Sequence, residues 1–207
     1  MQGFLTISMY TDNQKLQDNK SKNTILKILP IAAPGPLVID GPSGKIHESY
    51  LKSLFSRVVN LHENYSWINI KDNYKEILEY HASLKYENFL KANLEQTGFV
   101  NKVISNKMIS TFEINKNEIK TSWCEKLGVA CAVISGKRRV FTGGNKPLDE
   151  TNVSYFMLSG AVMPNAQNLN VLQIDRLIVF DRGENSKERA EALYKEALKG
   201  KIPENKI

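Results

Sequence analysis

Six consecutive apolar residues, Val129-Ala130-Cys131-Ala132-Val133-Ile134, run without any polar alternation. A strand of that pattern is buried on both faces, so it belongs in the middle of a sheet covered above and below. Helices must supply the cover. That confines the chain to an α/β class: a single three-layer-like domain with a mixed central sheet flanked by helices.

The rest of the chain offers the necessary elements. Tyr50, Leu51, Leu54, Phe55, Val58 and Val59 recur at spacings of one, three and four, which predicts a helix from about Glu48 to Leu61. Asp72 can cap a second helix that carries Ile77, Leu78, His81 and Leu84 on one face and runs to about Gln96, with Gly98 as its stop. Trp67 to Ile70, Met108 to Ile114 and Leu177 to Phe180 read as strands. Ser135-Gly136-Lys137 reads as a hairpin turn into a strand from Arg139 to Thr142. Val153, Phe156, Met157, Gly160 and Ala161 repeat at helical spacing, predicting a helix at Thr151 to Met163. Ser186 opens a last helix that ends at Gly200.

Residues 1–35 read as an N-terminal extension, with a strand at Phe4 to Tyr10 and a polar loop at Thr11 to Asn23. Residues 36–207 read as one α/β domain, in a chain of 207 residues that can bury roughly 70% of its unfolded surface. No stretch has the length and apolarity of a membrane span, and the N-terminus lacks the pattern of a signal peptide. Two cysteines seven residues apart form no disulfide framework, so reduced thiols and a cytoplasmic location are expected. Delivery as a secreted effector by a route that reads no such signal is compatible with the same residues.

The formal charge of +6 invites a nucleic-acid partner, but only six of the 28 basic residues are Arg. Phosphate and base recognition favour the planar Arg fork, so a solvated Lys surface is the preferred account of the charge.

Two segments come near known chemistry. Pro36-Leu-Val-Ile-Asp-Gly-Pro-Ser-Gly-Lys45 resembles the strand and phosphate loop of small nucleotide kinases of the cytidylate-kinase kind. Such a loop needs G-x-x-x-x-G-K-[ST], whereas Ile39 stands five residues before Gly44 and Ile46 occupies the Mg²⁺-binding position. Lys45 is left as a candidate for weak anion binding at a helix start, and the letters otherwise describe a tight turn.

The second segment is longer. Gly128 to Ile134, a turn, and Arg139-Val-Phe-Thr-Gly-Gly-Asn145 resemble the first hairpin of the cytidine deaminase family, and the elements that follow echo its helix, strand and helix as far as residue 199. The resemblance implies a deaminase-like fold in which Asn145 contacts a nucleotide-like ligand. The family's zinc ligands and catalytic Glu, on H-x-E and P-C-x-x-C segments, have no counterpart here, so neither metal nor cofactor is expected.

Three further side chains are candidates. Asp181 directly follows a compact strand, where open α/β sheets gather ligands. Cys124 lies beside Lys126, a cation that lowers thiol pKa, and His81 is the histidine assigned to it as base. The favoured expectation is a catalytically inactive deaminase-like domain that binds a protein partner or a nucleotide-like ligand. The alternatives are an enzyme using Cys124 with His81 and a Lys-rich nucleic-acid binder.

Overall fold

A computed structural model describes residues 24–26, 37–40, 45–143, 147–161, 172–181 and 185–201. Its strands are β1 Thr24–Leu26, β2 Leu37–Asp40, β3 Lys45–Ile46, β4 Tyr65–Ser66, β5 Met108–Ile114, β6 Lys120–Cys124, β7 Val129–Thr142, β8 Asp149–Ala161 and β9 Leu172–Phe180. Its α-helices are α1 Glu48–Glu63, α2 Ile70–Glu76, α3 Leu84–Thr97, α4 Phe99–Ser105 and α5 Ser186–Leu198.

β1, β2 and β3 form a small antiparallel sheet. The main sheet runs β4-β5-β7-β8-β9, with β6 placed end to end with β5 along the same edge of β7. Every pairing between its named strands is antiparallel, so the expected mixed sheet is corrected; one isolated parallel bridge joins Ala82 to Ile174.

β7 lies where its apolar run requires. Ala130, Ala132 and Ile134 face the larger core with α1, whereas Cys131 and Val133 face a second core with α5. The sheet is thus sandwiched between helices. α1 contributes Tyr50, Leu51, Leu54, Phe55, Val58, Val59 and Leu61 to the larger core, close to the predicted stripe. At roughly 1.5–3 kcal/mol for each fully buried large side chain, this one face is the chief attachment of the helical layer.

Two expectations in the second half fail for physical reasons. Ser135-Gly136-Lys137 does not turn, and Val129–Thr142 is one continuous strand of 14 residues. Gly136 serves close approach instead: a Cβ there would collide with the Phe112 ring and the Glu113 carbonyl of β5. The helix expected at Thr151 to Met163 is β8, buried without interruption from Val153 to Ser159. A strand covered on both faces shows no period of two, and its apolar spacing imitates a helix.

The long helix expected from Asp72 to Gln96 is also divided. α2 passes into a π-helical turn, Ile77–His81, and the chain then breaks at Ala82-Ser83. Ser83 donates its N–H to the Ile174 carbonyl at 2.9 Å, while its side chain accepts from the Tyr86 N–H and caps α3. Gly98 ends α3 in the left-handed region as expected. The short strand expected at Trp67 to Ile70 lies just earlier, at β4, and Phe4 to Tyr10 falls outside the described residues.

Candidate functional site

The apolar stripe of α1 continues by steps of four from Phe55 through Val59 to Glu63, which places a carboxylate on the buried face. Asn73 fixes the end of that helix, its side-chain amide donating to the carbonyls of Leu61 at 3.0 Å and Asn64 at 2.9 Å. Glu63 is consequently aimed at the sheet and is only 2% exposed.

Two strands meet it there. Tyr155 of β8 donates its hydroxyl to Glu63 Oε1. Arg138 of β7 lies 3.7 Å from the same oxygen through Nη1, and its Nη2 lies 3.5 Å from Oδ2 of Asp181, just past β9. His62 stands 3.3 Å from Oε1 through Nδ1, with its ring edge-on to Tyr74 and Tyr155. Phe112 closes the assembly edge-on to Tyr155. Glu63 Oε2 and Arg138 Nε are buried without a hydrogen-bond partner.

Burial alone would raise the Glu63 carboxyl, but the hydrogen bond and charge of His62, the Tyr155 hydroxyl and the Arg138 guanidinium outweigh it and hold it below the ordinary value. Burial, reinforced by the neighbouring carboxylate, drives Tyr155 far above a normal phenol. The assembly is therefore a carboxylate and guanidinium pair bracketed by aromatic rings, which ties α1 to β7 and β8. It presents no nucleophile. Among the described residues, no group of three or more His, Cys, Asp or Glu is placed to hold a metal.

The predicted site residues do not converge on this cluster. Asp181 alone belongs to it, as the partner of Arg138. Cys124 is joined to Cys131 in a disulfide on the opposite face of the sheet, among Ala190 and Ala197 of α5, so it carries no thiolate and forms no dyad with His81. His81, fully buried, ends the π-helical turn with Nε2 3.6 Å from Glu76 Oε1, a carboxylate oxygen that also accepts two bonds from Arg57. Burial lowers its pKa and keeps the ring neutral, with Glu76 opposing that effect only in part. Lys45 forms part of β3, while its side chain, the turn before it and Asn145 lie outside the described residues.

Sequence reasoning missed Glu63, Arg138 and Tyr155. The signal for Glu63 was present, since the helical stripe passes through it. For Arg138 the signal was the even-numbered series of β7, which a single unbroken strand would have made visible.

No family model and no curated protein matches the chain. Among solved structures, an IcmL-like type IV secretion system protein from Legionella pneumophila aligns with a TM-score of 0.52 at 14% identity, covering 66% of this chain and 94% of that one. The chain shares that protein's fold. The periplasmic domain of DotI aligns over 66% of this chain and 96% of its own length, at 14% identity and a TM-score of 0.49.

This fold replaces the expected cytidine deaminase-like arrangement, whose hairpin and first helix are the two elements that the structure forms differently. The reading as an inactive deaminase-like binding protein falls with it, and neither alternative, a Cys124 and His81 enzyme or a nucleic-acid binder, gains support. The cytoplasmic assignment is corrected as well, because the two cysteines whose reduced state it rested on are paired in a disulfide. No helix among the described residues is long and apolar enough to cross a membrane.

Proposed function

We propose that this chain is a structural component of a type IV secretion machine, acting through protein contacts in an oxidising compartment. The observation that carries the reading is the extent of the likeness: it takes in nearly the whole of the IcmL-like chain, 94%, rather than one supersecondary piece. The Cys124–Cys131 disulfide supports the compartment, because such bonds persist where thiols are not kept reduced. A buried ion cluster with no nucleophile suits a scaffold better than a catalyst. The proposed working unit is residues 36–207, with 1–35 as an extension.

Deleting the gene in its source cell should abolish transfer of the secretion machine's cargo, and crosslinking from the domain surface should recover other components of that machine. Unimpaired transfer together with freely alkylated Cys124 and Cys131 in intact cells would overturn the proposal. Limited proteolysis tests the working unit, with cuts expected near residue 35 before any within 45–143.

A further inference from the structure

Among the described residues, apolar exposure is concentrated at one end of the main sheet. Of the seven large hydrophobic side chains exposed among the described residues, four belong there: Trp67 at 40%, Ile68 at 70%, Ile109 at 42% and Leu148 at 71%. They come from different elements, the turn between β4 and α2, the start of β5 and the residue before β8.

The strand register gathers them at that end, Ile109 and Leu148 on the face turned away from α1 and Trp67 opposite Met108 on the other. Ser66 pairs with Ile109 and Ile109 with Phe141, while Trp67 donates its N–H to the Met108 carbonyl and Leu148 donates to the carbonyl of Val140. The end of the sheet, about 15 Å across four strands at the usual spacing, therefore carries exposed apolar side chains on both of its faces. Monomeric soluble domains scatter such residues singly, and a group gathered at one end of a sheet marks a contact surface.

Its charged border identifies the contact. Lys71 follows Ile68 by three residues on α2, Lys107 immediately precedes the Met108 that Trp67 bonds to, and Lys102 lies one turn before the end of α4. All three are exposed, and like several other surface lysines they have no ion-pair partner among the described residues. Two acids share the border. Asp149 accepts the Thr151 hydroxyl on its own strand, and Asp72 sits in the first turn of α2, where the helix dipole offsets a negative charge.

Just beyond the two-residue β4, the Asn64 side chain already accepts the Phe112 N–H at 2.6 Å, so that group of the edge is not open to an added strand. We propose that this end of the sheet docks on an anionic lipid bilayer surface, with Trp67 and Ile68 entering the headgroup layer and Lys71, Lys102 and Lys107 facing the lipid phosphates. The inference stands apart from the secretion-machine reading.

The chain has two tryptophans, so Trp123→Phe leaves Trp67 as the single reporter. The full chain is titrated with vesicles of phosphatidylglycerol and phosphatidylcholine in equal parts, and with phosphatidylcholine alone. Expected are cosedimentation and a blue shift of Trp67 emission with the anionic vesicles, both weakening as salt rises, and at least about ten-fold weaker binding for Ile68→Ser with Leu148→Ser. Lys71→Glu with Lys107→Glu should weaken binding to the anionic vesicles in the same way, and since all four positions are exposed these variants should keep the parent's circular dichroism. Equal binding to neutral vesicles, binding that survives both variants, or no vesicle binding alongside a concentration-dependent dimer that shifts Trp67 would each overturn the proposal, the last by making a second copy the occupant.

Discussion

The two faces of the main sheet are sealed by different means. On the side of α1, bulky aliphatic and aromatic side chains enclose a charged cluster that nothing covalent reinforces. On the side of α5 the cover is thinner: Ala190 and Ala197 lie over Val133, Phe156 and the Cys124–Cys131 disulfide, and the Arg189 guanidinium sits 4.9 Å from the centre of the Phe180 ring. Two ion pairs also hold α5, Lys120 to Glu191 and Lys187 to Glu118, but exposed pairs contribute little. One face relies on volume and the other on a crosslink.

The difference can be tested to breaking point. Phe55→Ala, which removes a fully buried ring from the thick side, should cost about 3–5 kcal/mol in denaturant unfolding, the largest effect expected. Glu63→Ala should cost about 3 kcal/mol, the low end for a broken buried pair, because Arg138 keeps Asp181 and some access to water. Replacing both Cys124 and Cys131 by Ala should cost about 2–3 kcal/mol for so short a loop, with hydrogen exchange accelerated in β6, the start of β7 and α5 but not in α1. An equal loss of protection in α1 would mean that the two faces are not separate.

The main pH dependence comes from the thick side, where its sign follows from two depressed values; on α5 the Lys120 ammonium also holds the Glu191 carboxyl down, but that pair lies near the surface and adds little. Glu63 titrates below its unfolded value, so its contribution is complete above the usual carboxylate range and is lost as pH falls through the folded value. His81 is also depressed and stays neutral when folded, so stability begins to fall as pH drops below about 6.5, where the unfolded histidine gains its proton. His81→Phe should flatten the stability profile between neutral pH and pH 5, whereas the cysteine variant should keep the parent slope. The smallest effect concerns a turn: Lys107 holds φ at 49°, and Lys107→Gly should stabilise by about 0.5 kcal/mol.

Elements with one exposed face were legible in the sequence. The α1 stripe, the Gly98 stop and the last helix could be read because polar residues mark the side that meets water. β8 could not, because its fully buried centre lacks the contrast on which periodicity depends. The break at Ala82-Ser83 was equally hidden, since its cause is a bond to Ile174, about ninety residues away. In the candidate cluster, Glu63 was readable as an acid on an apolar stripe, while Arg138 required knowing that Gly136 is a packing glycine and not a turn. The cysteine pairing depended on the β6 and β7 register, which places Cys131 opposite Ser122 and so diagonal to Cys124.

The Ser83 bond to Ile174 and the Tyr155 bond to Glu63 also set an order of events during synthesis. Helices made early carry a buried acid and an interrupted backbone that strands made late must complete. Contacts of that sequence separation form slowly and leave the first half of a nascent chain with apolar surface uncovered. The helical half of this protein therefore cannot mature until the ribosome has released β9, so truncation ahead of β9 should yield an aggregating chain rather than a smaller folded one.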